Sequence, residues 1–249
     1  MSLKLNRQSF RCSKRTCGKE ISIWTNSFFA QCKLSYCEVM NLIYLWLIGG
    51  SHTLLCHAGA HGRTTITTFM QYFRELIASD VTEEDCIIGG IGVTVEIDES
   101  KLARRKYNRG HRVNGCWVVG GVERTPDKKT FIMPVLNRSA DTLKELICAH
   151  VLPGTKIITD CWKGYDWLDN DERYIHVKVN HSRHFRDPVT GAHTNSIEGS
   201  WAALKAKIPK RNRTENNVDI HLLGFIWLKQ NKYRLWDAII NVLSDTHYD

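Results

Sequence analysis

Apolar residues recur at every third or fourth position in two stretches of the first third of the chain, the period of a helix with one buried face. The first stretch predicts a helix from residue 36 to 47, with Ser35 as its N-cap and Gly49-Gly50 at its end. A short helical segment, 53–58, and a second striped helix follow. The stripes consist of Tyr36, Val39, Met40, Ile43, Tyr44 and Leu47, and then of Ile66, Phe69, Met70, Phe73 and Ile77.

Short helices with tight connections are compatible with two architectures. One is a helix-turn-helix unit, which would make residues 36–85 a helical DNA-binding region, and the other is a small helical bundle that only packs on its neighbour. The periodicity does not decide between them. The acidic run Glu83-Glu84-Asp85 and the pair Gly89-Gly90 predict a boundary after the helices.

Beyond residue 91 the period changes to that of a strand. Val93, Val95 and Ile97 alternate with Thr94, Glu96 and Asp98, which predicts a strand with one apolar face. Further strands are predicted at 116–119, 131–133, 156–159 and 174–179, a hairpin turn at 125–128, and helices at 139–151, at 196–208 and between 160 and 174. Three antiparallel strands followed by alternating helices and strands is the order of an RNase H-like fold. We therefore predict an α/β domain (α+β, with a mixed sheet) preceded by a small helical, helix-turn-helix-like region.

The composition is that of a folded protein with a negatively charged partner. Hydrophobic residues make up 43% of the 249 residues and charged residues 24%, which excludes global disorder and a fibrous fold. A formal net charge of +8 favours a polyanion, most simply nucleic acid. The nine scattered cysteines indicate reduced thiols rather than a disulfide framework. We expect no signal peptide, and the longest apolar run, around residues 42–48, is too short to span a membrane.

Three carboxylates are candidate ligands for two metal ions. Asp98 is placed at the end of the first predicted strand, Asp160 at the end of the fourth, and Glu198 in the first turn of the last helix. In an RNase H-like sheet the first and fourth strands are neighbours, so the two Asp side chains would converge and the helix would bring Glu198 over them. Two Mg²⁺ ions about 4 Å apart, held by such oxygen ligands, suit phosphoryl transfer.

Each carboxylate also has a purely structural interpretation. Asp98 could lie on the solvent side of an alternating strand, and Asp160 could be the N-cap of the following helix. Asn195 and Glu198 have the spacing of a capping box, which would give Glu198 a local role. The last helix favours a site, because Ala202 and Lys205 continue the Glu198 stripe as a small, polar track that would let a backbone approach.

Six ordered blocks of sequence resemble one protein family, the Merlin type of DDE transposases, which are eukaryotic relatives of bacterial ISXO-type insertion-sequence transposases. The resemblance covers roughly residues 90–235, which we predict to be the DDE transposase domain. The blocks are residues 95–100, 105–110, 117–124, 159–165, 179–182 and 193–201. The resemblance implies that Asp98, Asp160 and Glu198 are the catalytic, metal-binding triad for two Mg²⁺ or Mn²⁺ ions. It also implies that Asn195 and His181 lie near the site.

Residues 1–35 resemble a remnant of the zinc ribbon with which family members often begin. Cys12 and Cys17 look like the second cysteine pair of such a ribbon, and the first pair is absent. Cys32 and Cys37 could complete four ligands, but Cys37 falls in the first turn of a predicted helix. We expect free thiols and no structural zinc.

Basic residues follow Asp98 closely. Such runs are usually solvated loops, but beside a phosphate-cleaving site they are better interpreted as phosphate contacts. Lys205 begins a second basic stretch that ends at Arg213 and carries the same ambiguity. The residues predicted to bind DNA are Arg104, Arg105, Lys106, Arg109, Arg112 and Lys205.

The function that we expect from the resemblance is cut-and-paste DNA transposition, by metal-dependent phosphodiester cleavage and strand transfer. Its partners would be the transposon ends and target DNA, and bringing two ends together requires at least a dimer. The expected compartment is the nucleus for a eukaryotic gene and the cytoplasm otherwise, without secretion. The competing functions are a non-catalytic DNA-binding protein derived from a transposon and a structure-specific nuclease.

Overall fold

The computed structural model describes residues 1–5, 8–102, 115–179, 193–215 and 217–247. The chain divides into two compact units, one formed by residues 1–77 together with 231–249, and the other by residues 78–230. The predicted divisions at residues 35, 85 and 90 stay predictions. No helix in the described part of the chain is long and apolar enough to cross a membrane.

The first unit begins with a small antiparallel sheet that the hydrophobic pattern does not predict. Its strands are β1 (Ser2–Lys4), β2 (Ser9–Arg11) and β3 (Glu20–Ser22), paired in the order β1-β2-β3. The strands are only three residues long and mostly exposed, so no alternation of apolar and polar residues marks them.

The three predicted helices of this unit are present. They are α1 (Tyr36–Leu47), α2 (His52–Gly59) and α3 (Arg63–Ser79). Ser35 caps α1 in a capping box, since its side chain accepts the N–H of Glu38 and the Glu38 carboxylate accepts the N–H of Ser35. The predicted stripe of α1 is wrong at three positions, because Leu42 is fully buried whereas Tyr36 and Tyr44 are exposed.

A mixed five-stranded sheet forms the centre of the second unit. Its strands are β5 (Thr94–Lys101), β6 (Trp117–Glu123), β7 (Thr130–Val135), β9 (Lys156–Asp160) and β10 (Ile175–Val179). The strand order is β10-β9-β5-β6-β7, with β9 parallel to both β5 and β10, and β6 antiparallel to β5 and β7. The first and fourth strands of the predicted series, β5 and β9, are therefore neighbours, as expected. Two short strands, β4 (Ile88–Gly89) and β8 (Val151–Leu152), pair in parallel as a separate two-stranded sheet.

Helices cover this sheet; the first two of those named next follow the predicted bounds closely, and the last two were not predicted. The helices are α4 (Ala140–His150), α5 (Asn195–Lys207) and α6 (Asp219–Gln230); α7 (Leu235–Asp245) belongs to the first unit. The helix predicted between residues 160 and 174 is a 3₁₀ helix, Lys163–Asn170.

Both faces of β5 are covered, which corrects the prediction of one apolar and one solvent face. Val95 and Ile97 are fully buried in the core on one side. Glu96 is also fully buried, on the face that carries α5. Strand β5 also runs on to Lys101, so Asp98 lies inside the strand and not at its end.

Candidate functional site

Asp98 and Asp160 are brought together by the register of two parallel strands. Glu96 on β5 is paired with Ile158 on β9, and both aspartates lie two residues further on. Because side chains two residues apart point to the same face, Asp98 and Asp160 stand on one face of neighbouring strands. Adjacent strands are about 4.8 Å apart, so the two carboxylates are close neighbours.

Glu198 joins them from α5. The pKa of Asp98 is raised, first by burial and further by the negative charges of Asp160 and Glu198. The three carboxylates are therefore electrostatic neighbours, and no salt bridge to any of them is found in the described part of the chain. Glu198 itself is exposed, at the open side of the group.

A tryptophan fixes the orientation of Asp98. Trp201, one turn beyond Glu198 on α5, donates its indole N–H to Asp98 Oδ2 at 2.9 Å. The ring lies over Gly120, the residue paired with Asp98 across β5 and β6, where an added Cβ would stand 2.8 Å from Trp201 Cη2. The hydrogen bond gives the buried Trp201 a polar role in addition to its packing.

The capping interpretation of Glu198 is wrong. The N-cap of α5 is Thr194, so Asn195 is the first helical residue and Glu198 stands one position beyond the capping-box site. Glu198 Oε1 accepts the hydroxyl of Thr194 at 3.0 Å, and the cap side chain bonds no backbone N–H. Asp98 is half-buried and not on a solvent side. Asp160 is not an N-cap either, although its Oδ1 accepts the N–H of Trp162 at 2.9 Å.

The first turn of α5 is capped instead by Glu96, whose part in the site the sequence pattern does not reveal. Its Oε2 accepts the N–H groups of Ser196 at 2.8 Å and Ile197 at 3.1 Å. Its Oε1 accepts Nε–H of Arg124 at 2.7 Å. A contact between residues 100 positions apart leaves no local signal, and alternation alone assigns Glu96 to solvent.

The opposite face of β5 is supported by a cluster around Glu99. Its carboxylate accepts the hydroxyl of Tyr165 at 2.7 Å and a guanidinium N–H of Arg138 at 3.2 Å. Arg138 lies between the rings of Trp117 and Trp162, at 3.8 and 4.9 Å from their centroids. Burial raises the pKa of both Glu99 and Tyr165. This cluster supports strand β5 on the face opposite to Asp98.

Two other predicted site residues lie beside the carboxylates. Lys205 Nζ donates to Ser100 Oγ at 2.6 Å, on the same face of β5 as Asp98. Asn195 Oδ1 is buried without a hydrogen-bond partner among the described residues. His181 lies outside the described residues, as do the predicted DNA-binding residues of the β5–β6 connection. Those residues are Arg104, Arg105, Lys106, Arg109 and Arg112.

The donor set fits a hard divalent cation by its chemistry. Three carboxylates, with no cationic partner in the described part of the chain, and the buried amide oxygen of Asn195 are oxygen ligands of the kind that Mg²⁺ and Mn²⁺ take. Among the described residues no three His, Cys, Asp or Glu side chains stand close enough to hold one metal ion, and this includes the three carboxylates. Asp98, Asp160 and Glu198 are the residues that would hold such ions.

The predicted cysteine pair of the first unit is close in space. The pKa of the Cys12 thiol is lowered, first by a backbone N–H of Lys14 and then by contact with the Cys17 thiol. All nine cysteines are free thiols. Whether the chain takes up zinc stays a prediction.

Comparison with known proteins decides the family. Residues 87–216, just over half of the chain, match the family described as ISXO2-like transposase domain. The chain belongs to this family. A relative in Haemophilus influenzae, an uncharacterized transposase-like protein, is 32% identical over 104 residues, which are 41% of this chain and 82% of the relative.

The transposase domain contains the whole candidate site. The matched residues include the three carboxylates, Glu96 and Arg124, and they end shortly before α6. The sheet of the second unit, with its mixed order, is thus the scaffold of the transposase domain.

Proposed function

We propose that the chain is a DNA transposase that cleaves phosphodiester bonds and transfers strands in a metal-dependent, cut-and-paste reaction. The observation that supports this most is that Asp98 and Asp160 stand on one face of neighbouring strands, with helix α5, which carries Glu198, bonded to Asp98 through Trp201. The strand order, with parallel β9 beside β5, supports an RNase H-like fold. Within the family we propose the Merlin type, because the six sequence blocks resemble that type.

The proposed roles follow from the position of each carboxylate. Asp98 and Asp160, side by side, would be shared metal ligands, and Glu198 would hold the second ion. Two Mg²⁺ or Mn²⁺ ions, when bound, would neutralise charge on the attacking and leaving oxygens of the phosphodiester. Trp201 would keep the Asp98 carboxylate in one orientation through its indole N–H. Water would attack at the transposon end, and the freed 3′-hydroxyl would then attack target DNA.

The proposed partner is DNA, both transposon ends and target. The net charge of +8 supports a polyanionic partner, and Lys205 places a cation beside the carboxylates. The five basic residues between 104 and 112 would add phosphate contacts. Because transposition joins two ends, we propose that the active species is at least a homodimer.

The test uses duplexes that carry the terminal sequences flanking the gene, pre-cleaved at the 3′ end, with a plasmid target and Mg²⁺. We expect plasmid-joined products that disappear without a divalent ion. Hydrolysis without joining would indicate a nuclease. Binding without either reaction would indicate a non-catalytic DNA-binding protein derived from a transposon.

A further inference from the structure

Glu96 is the most deeply buried charged residue among those described, and it is fully paired. Its side chain is 0% exposed and lies on β5, two residues before Asp98 on the same face. It contacts two elements that are distant in sequence, the start of α5 and the residue that follows β6, Arg124. A buried carboxylate is costly unless it is paired, so these contacts define where it can lie.

The bonds of Glu96 replace the ordinary cap of α5. The first N–H groups of a helix have no partner inside the helix, and Thr194 does not supply one from its side chain. Glu96 accepts those of Ser196 and Ile197 with a single oxygen, and its negative charge favours this end of the helix. The start of α5 is thereby attached to β5.

Arg124 completes the attachment. Its Nε–H donates to Glu96, and its Nη2 donates to the backbone carbonyl of His193, just before the helix. One guanidinium therefore fixes both the carboxylate and the segment that leads into α5. Ile197, bonded to Glu96, is followed directly by Glu198, so the same contacts set how far Glu198 stands from Asp98.

We propose that Glu96, held by Arg124, is a positioning residue that sets the placement of Glu198 against Asp98 and Asp160. The inference rests on the proposed function. Both carboxylate oxygens of Glu96 are already bonded, so it would act through the first turn of α5 and not as a ligand of the ions. Its replacement weakens divalent-cation binding and not DNA binding, because one ligand of the site is loosened while the basic surface stays unchanged.

The test compares Glu96→Gln with Glu123→Gln. Glu123 is a matched control, because it is also buried and accepts a backbone N–H, that of Gly89, yet makes no contact with α5 among the described hydrogen bonds. Mn²⁺ binding to the full chain is measured by electron paramagnetic resonance without DNA, and end binding by gel shift. We expect Mn²⁺ affinity to fall about 10- to 100-fold in Glu96→Gln only, the usual cost of removing a residue that orients a ligand.

Strand transfer across an Mn²⁺ series supplies the second readout. High Mn²⁺ should restore Glu96→Gln towards the wild-type rate, because all three ligands are present, and should not restore Glu198→Gln. If Glu96→Gln fails to fold, Arg124→Lys replaces it, since lysine keeps the charge but cannot bond both Glu96 and the His193 carbonyl.

The possible results separate the two proposals. Equal Mn²⁺ affinity in wild type, Glu96→Gln (or its substitute) and Glu123→Gln would overturn the positioning role and leave the transposase proposal standing. A wild type that binds no Mn²⁺ and joins no DNA would overturn both, since Glu198 would then have no ion to hold.

Discussion

Two tryptophans of the second unit make the same hydrogen bond in different places. Trp201 donates its indole N–H to Asp98 at the candidate site, and Trp227 donates to Asp80 away from it, at 2.7 Å. Both rings are buried. Replacing each by phenylalanine removes one N–H and keeps most of the packing. Comparing the two variants therefore distinguishes a tryptophan that acts in the candidate site from one that only stabilises the fold.

Trp201→Phe should therefore reduce strand transfer about ten- to hundred-fold, because a hydrogen bond to a charged group contributes about 1.5–3 kcal/mol and each ~1.4 kcal/mol is tenfold. Trp227→Phe should destabilise the fold by a similar free energy, lower the melting temperature and leave strand transfer near wild type. Rates and melting temperatures of both variants check this. Equal rates in the two variants would show that Trp201 only packs.

His150 should make stability depend on pH. Burial lowers its pKa below the ordinary 6.5, while its Nδ1 bonds the carbonyl of Cys86 at 3.1 Å and its ring stacks on Phe131. As pH falls below about 6.5, the unfolded chain takes up the proton first, so this contribution to stability is lost towards acid. We expect melting temperature to fall less between about pH 7.5 and 5 in His150→Gln than in wild type. Identical slopes would contradict the assignment.

Among helices and strands, the sequence predicts those features that depend on residues close together in the chain. Helix α1 was predicted with its N-cap because the apolar stripe and Ser35 lie next to each other in the chain. Strands β1 to β3 were missed, since short exposed strands have no alternating pattern. The convergence of Asp98 and Asp160 followed from strand order. The capping of α5 by Glu96 did not, because burial of a polar face depends on which helix covers it.

The β5–β6 connection should carry much of the DNA affinity. Its ends are joined, with the N–H of Leu102 donating to the carbonyl of Cys116 at 3.0 Å. Log affinity falls linearly with log salt concentration. Neutralising the cations of the connection should reduce the steepness of that slope by about 0.9 for each phosphate that the variant no longer contacts. The variant replaces Arg104, Arg105, Lys106 and Arg109 with glutamine.

The matched control for that variant is Lys128→Gln with Lys129→Gln, two exposed cations at the hairpin turn between β6 and β7. The control should leave the salt slope unchanged. If the connection variant also keeps the wild-type slope, the basic residues of the connection are solvated and make no phosphate contacts.

For the three-stranded sheet of residues 1–35 we expect no stoichiometric zinc in the purified chain. Cys12 and Cys17 supply one pair of thiols, and no third His, Cys, Asp or Glu ligand joins them in the ranges that the structure describes. Elemental analysis of wild type and Cys12→Ser checks this. One zinc per chain that disappears in Cys12→Ser would contradict it and would point to Cys32 and Cys37 as the second pair.

At the scale of the whole molecule, the proposed chemistry depends on bringing distant parts of one domain together. Asp98 and Glu198 are far apart in sequence, and each carboxylate comes from a different element. A non-catalytic DNA-binding protein needs the basic surface but not this convergence. Catalysis and DNA binding should therefore respond differently to removal of a carboxylate, which makes that comparison decisive.

The most direct measurement is Mg²⁺-dependent strand transfer by Asp98→Asn, Asp160→Asn and Glu198→Gln, with gel-shift affinity for the same DNA ends. The control is Glu145→Gln, an exposed carboxylate on α4. We predict that joining falls by several orders of magnitude in each of the three variants, since removing one member of a catalytic group disables the whole. End binding should persist in all three, and the control should behave as wild type. Wild-type joining by any of the three variants would contradict the proposed site.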